Sequence, residues 1–309
     1  TSSRSLYCAT SRDMIKFSLS VRLTNSIRTL SVKEVKRGMR LARLAQTDGW
    51  QMLQVRFPTF RVMQEDGWAG LLDLNGNIMQ ESLFALRENL LVDQPKSQTN
   101  VLVSLTQAAP DGGDSLLVSA VKRLSDRLGI TVQQAAHAWV DAYCQQVLKP
   151  LFTAEADYGL VLLAHQQNIL VQMLGDIYRD CQGCAFMPHA TDWLDSIGEA
   201  QAENIFTHEQ LLRYFPYYLL VNSTFAVTAA LGAAGLDSES NLMARVRASL
   251  AEVRDQVTHK TCLNYVLESP YWNVKGNFFC YLNDHNENTI VDPSVIYFDF
   301  ANPLQAQEV

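Results

Sequence analysis

Three groups of residues in this chain have types and spacings that suit chemistry on anions. The first opens the sequence: Thr1-Ser2-Ser3-Arg4-Ser5, then Lys16 and Thr24 on one alternating segment, then Ser26-Ile27-Arg28-Thr29. Small hydroxyl residues let a backbone approach a phosphate closely, and Arg and Lys add charge-assisted hydrogen bonds worth about 1.5–3 kcal/mol each. The planar fork of Arg28 suits a carboxylate as well. The second group, Ala164-His165-Gln166-Gln167-Asn168, follows the apolar run 160–163. An imidazole and three amides there put many polar atoms where a core should form, and buried polar atoms require partners. Ligand atoms would satisfy them; so would other side chains in a purely structural network. The third group is Tyr178-Arg179-Asp180-Cys181-Gln182-Gly183. A carboxylate at a strand end beside a Gly turn suits Mg2+, which keeps several waters and takes one or two carboxylates. A structural Arg179–Asp180 pair would use the same residues.

Other familiar arrangements are missing from the sequence. No G-x-x-x-x-G-K-[ST] occurs, Gly112-Gly113 lacks the lysine of a P-loop, and G-x-G-x-x-G and G-x-S-x-G are absent. Of the six cysteines, at 8, 144, 181, 184, 262 and 280, only Cys181 and Cys184 form a C-x-x-C. A zinc site needs four ligands and a redox pair is expected where a helix starts after a strand, so the thiols read as reduced cytosolic ones. His137, His189, His208, His259 and His285 carry no functional reading.

The elements that must position these groups follow from periodicity. Residues 14–24 alternate strictly, with Ile15, Phe17, Leu19, Val21 and Leu23 on one face and Lys16, Ser18, Ser20, Arg22 and Thr24 on the other. Period 2 predicts one half-buried strand, whose polar face is either solvated or turned toward an anion. Downstream the pattern becomes helical. Asp114 is placed to cap a helix that Gly129 stops, and Thr131 to cap the next, which Pro150 ends. Short strands are expected over 158–163 and 168–173, with His165 between them. Thr207 and Gln210 make a capping box, and Leu242, Val246, Leu250, Val253 and Val257 mark an amphipathic helix over 238–259. Strands are expected at 278–282 and 289–298. The longest apolar stretch, 217–235, contains Asn222, Ser223, Thr224 and Thr228, which suits a buried helix and not a membrane span.

Composition sets the class. With 48% hydrophobic and 18% charged residues the chain buries ample apolar surface, which excludes disorder. Its formal net charge is −7, and without a Lys/Arg run it has no footprint for nucleic acid; a locally basic pocket for a small anion is compatible with that sum. The length of 309 residues suggests two lobes or one large one, with the best boundary in 94–114, where Gln, Ser, Pro and Gly cluster. The sequence begins at Thr1 and shows no signal-peptide pattern, so a longer parent chain in the cytoplasm is the expectation. The fold class is α+β, helix-rich in the second half.

Read jointly, Ser2-Ser3-Arg4-Ser5, Ile15-Lys16-Phe17-Ser18-Leu19, residues 24–29, residues 85–89 with Arg87, residues 164–168 and residues 179–183 resemble the NRPS-independent siderophore (NIS) synthetases, the IucA/IucC family. Lys275-Gly276-Asn277 and Phe300-Ala301-Asn302-Pro303-Leu304 continue the likeness, which runs in order over essentially the whole chain. The resemblance implies a cupped hand: a mixed, antiparallel fingers sheet over 1–100, incomplete at its N-terminus, packed on a helix-rich palm over 101–309. It implies ATP near Ser2, Ser3, Arg4, Lys16 and Thr24, with Gln167 and Asn168 at the phosphates and Asp180 on Mg2+. Arg28, Arg87 and His165 would stand where phosphate meets citrate, Arg28 and His165 as the catalytic pair. The implied activity is amide formation. A citrate carboxylate attacks the α-phosphorus of ATP with loss of pyrophosphate, and a hydroxamate-bearing amine, N6-acetyl-N6-hydroxylysine of aerobactin biosynthesis, then displaces AMP. Small molecules are the implied partners, not nucleic acid or membrane, and a homo-oligomer is the expected assembly. Two positions depart from the family pattern. Leu163 stands where members often carry Glu, which bears on a second metal carboxylate, and the family has more residues between Asp176 and Ile177.

Two other readings compete. A small-molecule kinase of the aminoglycoside-phosphotransferase type has an H-x-D loop and a later metal Asp that superficially match His165 and Asp180, but Gln167 occupies the position of its base, and a neutral amide cannot accept the hydroxyl proton. A non-catalytic citrate- or siderophore-binding module is the alternative outside enzymes, since a fold can outlive its chemistry.

Overall fold

A computed structural model describes residues 3–23, 26–92, 99–172, 175–178, 181, 183–276, 282 and 296–305. The chain opens with β1 (Ser5–Leu6), β2 (Asp13–Phe17), β3 (Leu19–Leu23) and β4 (Ser26–Arg28), followed by α1 (Val32–Leu44) and α2 (Asp48–Arg56). Next come β5 (Phe60–Val62), β6 (Gly67–Ala69), β7 (Phe84–Glu88) and β8 (Thr99–Val101). Helices then dominate: α3 (Leu102–Thr106), α4 (Leu116–Leu128), α5 (Val132–Tyr143) and α6 (Lys149–Tyr158). Four short strands, β9 (Leu160–Leu162), β10 (Ile169–Gln172), β11 (Gly175–Tyr178) and β12 (Cys184–Phe186), precede α7 (Thr191–Asp195), α8 (His208–Pro216) and α9 (Phe225–Ala233). Last are α10 (Glu239–Gln256), α11 (Thr261–Glu268) and the pair β13 (Tyr271–Lys275) and β14 (Tyr297–Ala301).

The result is the expected α+β class. One antiparallel sheet has the order β1-β2-β7-β6. A second, mixed sheet has the order β5-β11-β10-β8, with β5 parallel to β11. That second sheet draws β5 and β8 from the first third of the chain and β10 and β11 from its middle. A division at residue 100 therefore passes through β8. The main core is continuous across the same line, running from Leu41, Trp50 and Phe60 to Phe152, Phe186 and Phe215 and on to Leu304.

The single strand expected over 14–24 is two strands. Ser18 separates them: its N–H donates to Leu83 O (2.9 Å), while its hydroxyl donates to Gln80 O (2.6 Å) and accepts from Leu30 N–H (2.8 Å). β2 consequently pairs with β7 and β3 with β4. The inward face is also the reverse of the one an apolar pattern suggests, because Lys16 is 4% exposed and Ile15 41%.

The caps are mostly as the sequence indicates. Thr131–Gln134 and Thr207–Gln210 form reciprocal capping boxes, Ser238 caps α10, and Gly129 ends α4 with φ 64°. Ser115, not Asp114, caps α4, leaving Asp114 to pair with Lys122 at 2.6 Å. Pro150 does not end a helix. A wide i→i+5 turn, Cys144–Leu148, leads from α5 into α6, and Pro150 falls in the first turn of α6, where proline is tolerated. The strands flanking His165 do not pair with each other: β9 pairs with β12, and β10 with β8 and β11. The strand expected at 278–282 lies, apart from Leu282, outside the described residues, as do 289–295; β14 begins at Tyr297. The apolar stretch 217–235 forms another i→i+5 turn, Tyr217–Thr224, and then α9. Among the described residues no helix is long and apolar enough to cross a membrane.

Candidate active site

Cross-strand register assembles the first part of the site. Lys16 lies opposite Ala85 and Met14 opposite Arg87, so alternation puts Met14, Lys16, Ala85 and Arg87 on one face of the antiparallel sheet, and all four are buried. Ser5 of β1 lies opposite Lys16 on its other side. The segment that crosses from β5 to β6 brings Glu65 onto this face. Its Oε1 accepts from Lys16 Nζ at 3.2 Å and from Arg87 Nε at 3.0 Å and Nη2 at 2.5 Å. Glu65 is 1% exposed and Arg87 4%. The carboxylate is pressed against α1, where Gly38 makes room: a Cβ there would lie 2.9 Å from Glu65 Cβ and 3.0 Å from Oε2. At this burial the field of these three charged groups is weakly screened.

The rim of the sheet carries the other N-terminal residues. Arg4 donates from Nη1 to the carbonyls of Arg28 (3.0 Å) and Thr29 (3.4 Å), tying β1 to the end of β4. Arg28 itself lies opposite Leu19 in the β3–β4 pair and is partly buried. Ser3 is exposed in the turn before β1. Ser2 and Thr24 lie outside the described residues.

The second group forms a tight turn between β9 and β10. Asn168 N–H donates to His165 O at 2.7 Å, and Gln167 N–H faces His165 Nδ1 at 3.3 Å. Asn168 is buried, His165 is partly buried and Gln167 is exposed. Neighbouring elements hold the turn. From α3, Val103 N–H donates to Gln166 O (3.1 Å) and Thr106 Oγ1 to Gln166 Oε1 (3.1 Å). From the Tyr217–Thr224 turn, Asn222 Oδ1 accepts from Gln166 N–H (3.2 Å) and Ser223 Oγ donates to Ala164 O (2.8 Å). The rings of His165 and Tyr218 are 6.0 Å apart.

Packing joins the groups. Leu170, two residues after Asn168, shares a small cluster with Met63 and with Met14, which lies on the same sheet face as Lys16 and Arg87. The third group reaches the same place. Cys181 Sγ donates to Met63 O at 2.9 Å, two residues before Glu65, and Cys184 Sγ donates to Cys181 O at 3.0 Å. Both thiols are buried and neither is in a disulfide. Asp180, the expected metal ligand, and its neighbours Arg179 and Gln182 lie outside the described residues. Met14, Met63 and Leu170 therefore link the sheet face that carries Lys16 and Arg87 to the strand that leaves the His165 turn, with Arg4 and Arg28 on the rim of the strands. Lys16 and Arg87, with the buried amide of Asn168, are donors of the kind that suit a nucleotide polyphosphate and a polycarboxylate. The motif search overlooked Glu65, Gly38, Tyr218, Asn222 and Ser223. Only Asn222 and Ser223 had a signal, as polar residues inside an apolar stretch.

A second ionic group locks α1 to residues 199–204. Arg40 donates to Glu199 (2.8 Å), Glu203 (2.8 Å) and Asn204 Oδ1 (2.7 Å), Arg37 to Glu203 (2.9 Å), and Arg43 to Glu199. Asn204 in turn donates to Cys184 O at 2.8 Å, at the end of the turn that follows residue 181. Burial alone would push the Glu203 carboxyl up, but the hydrogen bonds from Arg40 and Arg37 outweigh it and hold the group at about 2.

On this fold, an antiparallel sheet with buried cations on its inner face beside a helix-rich body that carries a His-amide turn, residues 1–107 match the IucA / IucC family. Residues 137–290 match a second family, described as ferric iron reductase FhuF-like transporter. The chain is similar to N(2)-citryl-N(6)-acetyl-N(6)-hydroxylysine synthase of Escherichia coli, at 90% identity over 315 aligned positions that cover 100% of this chain and 55% of the relative. The synthase of the same name from Vibrio mimicus is 43% identical over 100% of this chain and 53% of its own length. Among solved structures, ATP-bound aerobactin synthetase IucA from a hypervirulent pathotype of Klebsiella pneumoniae superposes with a TM-score of 0.94 at 88% identity, covering 98% of this chain and 54% of that one. The chain thus spans about half the length of the relatives it matches.

Proposed function

We propose that this chain is the part of an ATP-dependent ligase that adenylates a citrate carboxylate and joins it to the amine of N6-acetyl-N6-hydroxylysine, a step of aerobactin biosynthesis. The observation that carries the reading is the buried pair Lys16 and Arg87 on one sheet face, beside the strand that leaves the His165 turn. The 90% identity to a synthase named for that product supports the choice of substrates. A solved relative named as ATP-bound supports the nucleotide.

Joining citrate to ATP brings two anions together, so fixed positive charge is the first requirement. In this reading Arg4 and Lys16 face the phosphates, with Ser2, Ser3 and Thr24 close to the nucleotide. Gln167 and Asn168 donate from the opposite wall. Arg28, Arg87 and His165 stand between phosphate and citrate and stabilise charge as the carboxylate attacks the α-phosphorus and pyrophosphate leaves. Attack by the amine then releases AMP. Asp180 would hold Mg2+, whose remaining ligands are phosphate oxygens and water. In this reading the reaction takes place in the cytoplasm, where ATP and citrate are both available. Phosphoryl transfer to a hydroxyl fits less well, because Gln167 offers no base.

Citrate-dependent exchange of labelled pyrophosphate into ATP by the intact protein tests the proposal. Exchange stimulated by citrate above other di- and tricarboxylates is the expected result; none with any acid would refute adenylation.

A further inference from the structure

We propose that Asn222 and Ser223 are positioning residues for His165, acting through the backbone of its turn; this rests on the reading above that His165 stands in the active site. The stretch 217–235 is apolar enough that its polar residues need a reason to be there. An ordinary helix would keep Tyr218 and Asn222 on one face and turn Ser223 about 100° away from Asn222. In the i→i+5 turn Tyr217–Thr224, positions i, i+4 and i+5 share one side, and all three residues meet the His165 turn. Asn222 Oδ1 takes the N–H of Gln166 at 3.2 Å, and the fully buried Ser223 directs its hydroxyl at Ala164 O, 2.8 Å away. These two peptide groups bracket His165 on both sides. Ser223 has a local acceptor too, Tyr218 O at 3.0 Å, yet the contact across to the turn is the shorter. A buried backbone carbonyl or N–H that loses its partner must move to find another, and here the imidazole would move with it.

The test is a double-mutant cycle in the intact protein, read as citrate-dependent AMP formation. Asn222→Leu should lower kcat about tenfold, the effect of one hydrogen bond on a positioned group. Asn222→Asp keeps the acceptor oxygen and should recover most of that loss. Ser223→Ala should act in the same direction. In a His165→Ala background, Asn222→Leu should cost little more, because its effect passes through the imidazole. Amide exchange at Gln166 should quicken in Asn222→Leu and not in Asn222→Asp. Unchanged turnover in Asn222→Leu, or a full tenfold loss added to that of His165→Ala, would overturn the proposal in favour of simple packing. Unchanged turnover in His165→Ala would instead remove His165 from the site, and the positioning role with it.

Discussion

Glu65 fixes where the charged ends of Lys16 and Arg87 sit. Both side chains run their aliphatic stems through a buried sheet face and meet one carboxylate oxygen. Removing the charge from a buried ion pair typically costs about 3–5 kcal/mol, since the partner charges stay behind. Glu65→Gln should therefore lower stability by about 3 kcal/mol, seen as a lower urea midpoint at unchanged slope; an unaltered midpoint would mean the pair contributes nothing. Alternation and residue type pointed to Lys16, and the family resemblance alone pointed to Arg87. Neither pointed to the carboxylate, which lies 49 residues from one and 22 from the other and carries no periodic signal. A different carboxyl behaves in the opposite way. Glu155 is buried in α6, and burial, aided by the nearby Asp157, raises its carboxyl to about 8. The folded protein keeps this proton where the unfolded chain, with an ordinary value of about 4.3, has lost it. Stability from this group is thus full below about 4.3 and falls as pH rises toward 8. Glu155→Gln should flatten the decline between pH 5 and 8 in denaturant titrations; an identical pH slope in the variant would contradict the assignment.

At the scale of elements, helix caps were legible because each is a short-range contract between neighbouring residues. Thr131, Thr207, Ser238 and Gly129 all act where local chemistry puts them. The strand at 14–24 was not, because alternation reports a preferred face but not what covers it. Here the inner face serves the ion cluster, and Ser18 bonds to two distant loops that local pattern does not reveal. Gly38 separates local from tertiary control. Helix propensity alone predicts that Gly38→Ala stabilises α1 by about 1 kcal/mol. Contact with Glu65 predicts the reverse, since a methyl group would press on Glu65 Cβ and Oε2. We expect a lower melting temperature; a higher one would show that Glu65 yields without cost. The Arg40 lock makes a second prediction at this scale. The Glu203 carboxyl is depressed to about 2, so its contribution is present above the unfolded value near 4.3 and is lost as pH falls toward 2. The protection of the α1 amides, measured against their intrinsic exchange rate at each pH, should fall over that window in the native protein. Arg40→Met should exchange faster already at pH 6 and respond less to acid.

Over the whole molecule, the net charge of −7 says little about the site, where local cations decide which ions bind. The fold class was readable from the order of alternating and helical segments. The sheet that joins β5 and β8 to β10 and β11 was not, since pairing between strands more than 60 residues apart leaves no mark in local periodicity. The proposed convergence of Lys16, Arg87 and the His165 turn rests on that long-range pairing and on the Met14, Met63 and Leu170 cluster. The central claim is the chemistry proposed for this convergence, and trapping the activated acid tests it most directly. The intact protein, given ATP, citrate and hydroxylamine, should form AMP, pyrophosphate and citryl hydroxamate in equal amounts, and N6-acetyl-N6-hydroxylysine should replace hydroxylamine to give an amide. Stoichiometric ADP with a phosphorylated product, or no nucleotide consumption at all, would contradict it.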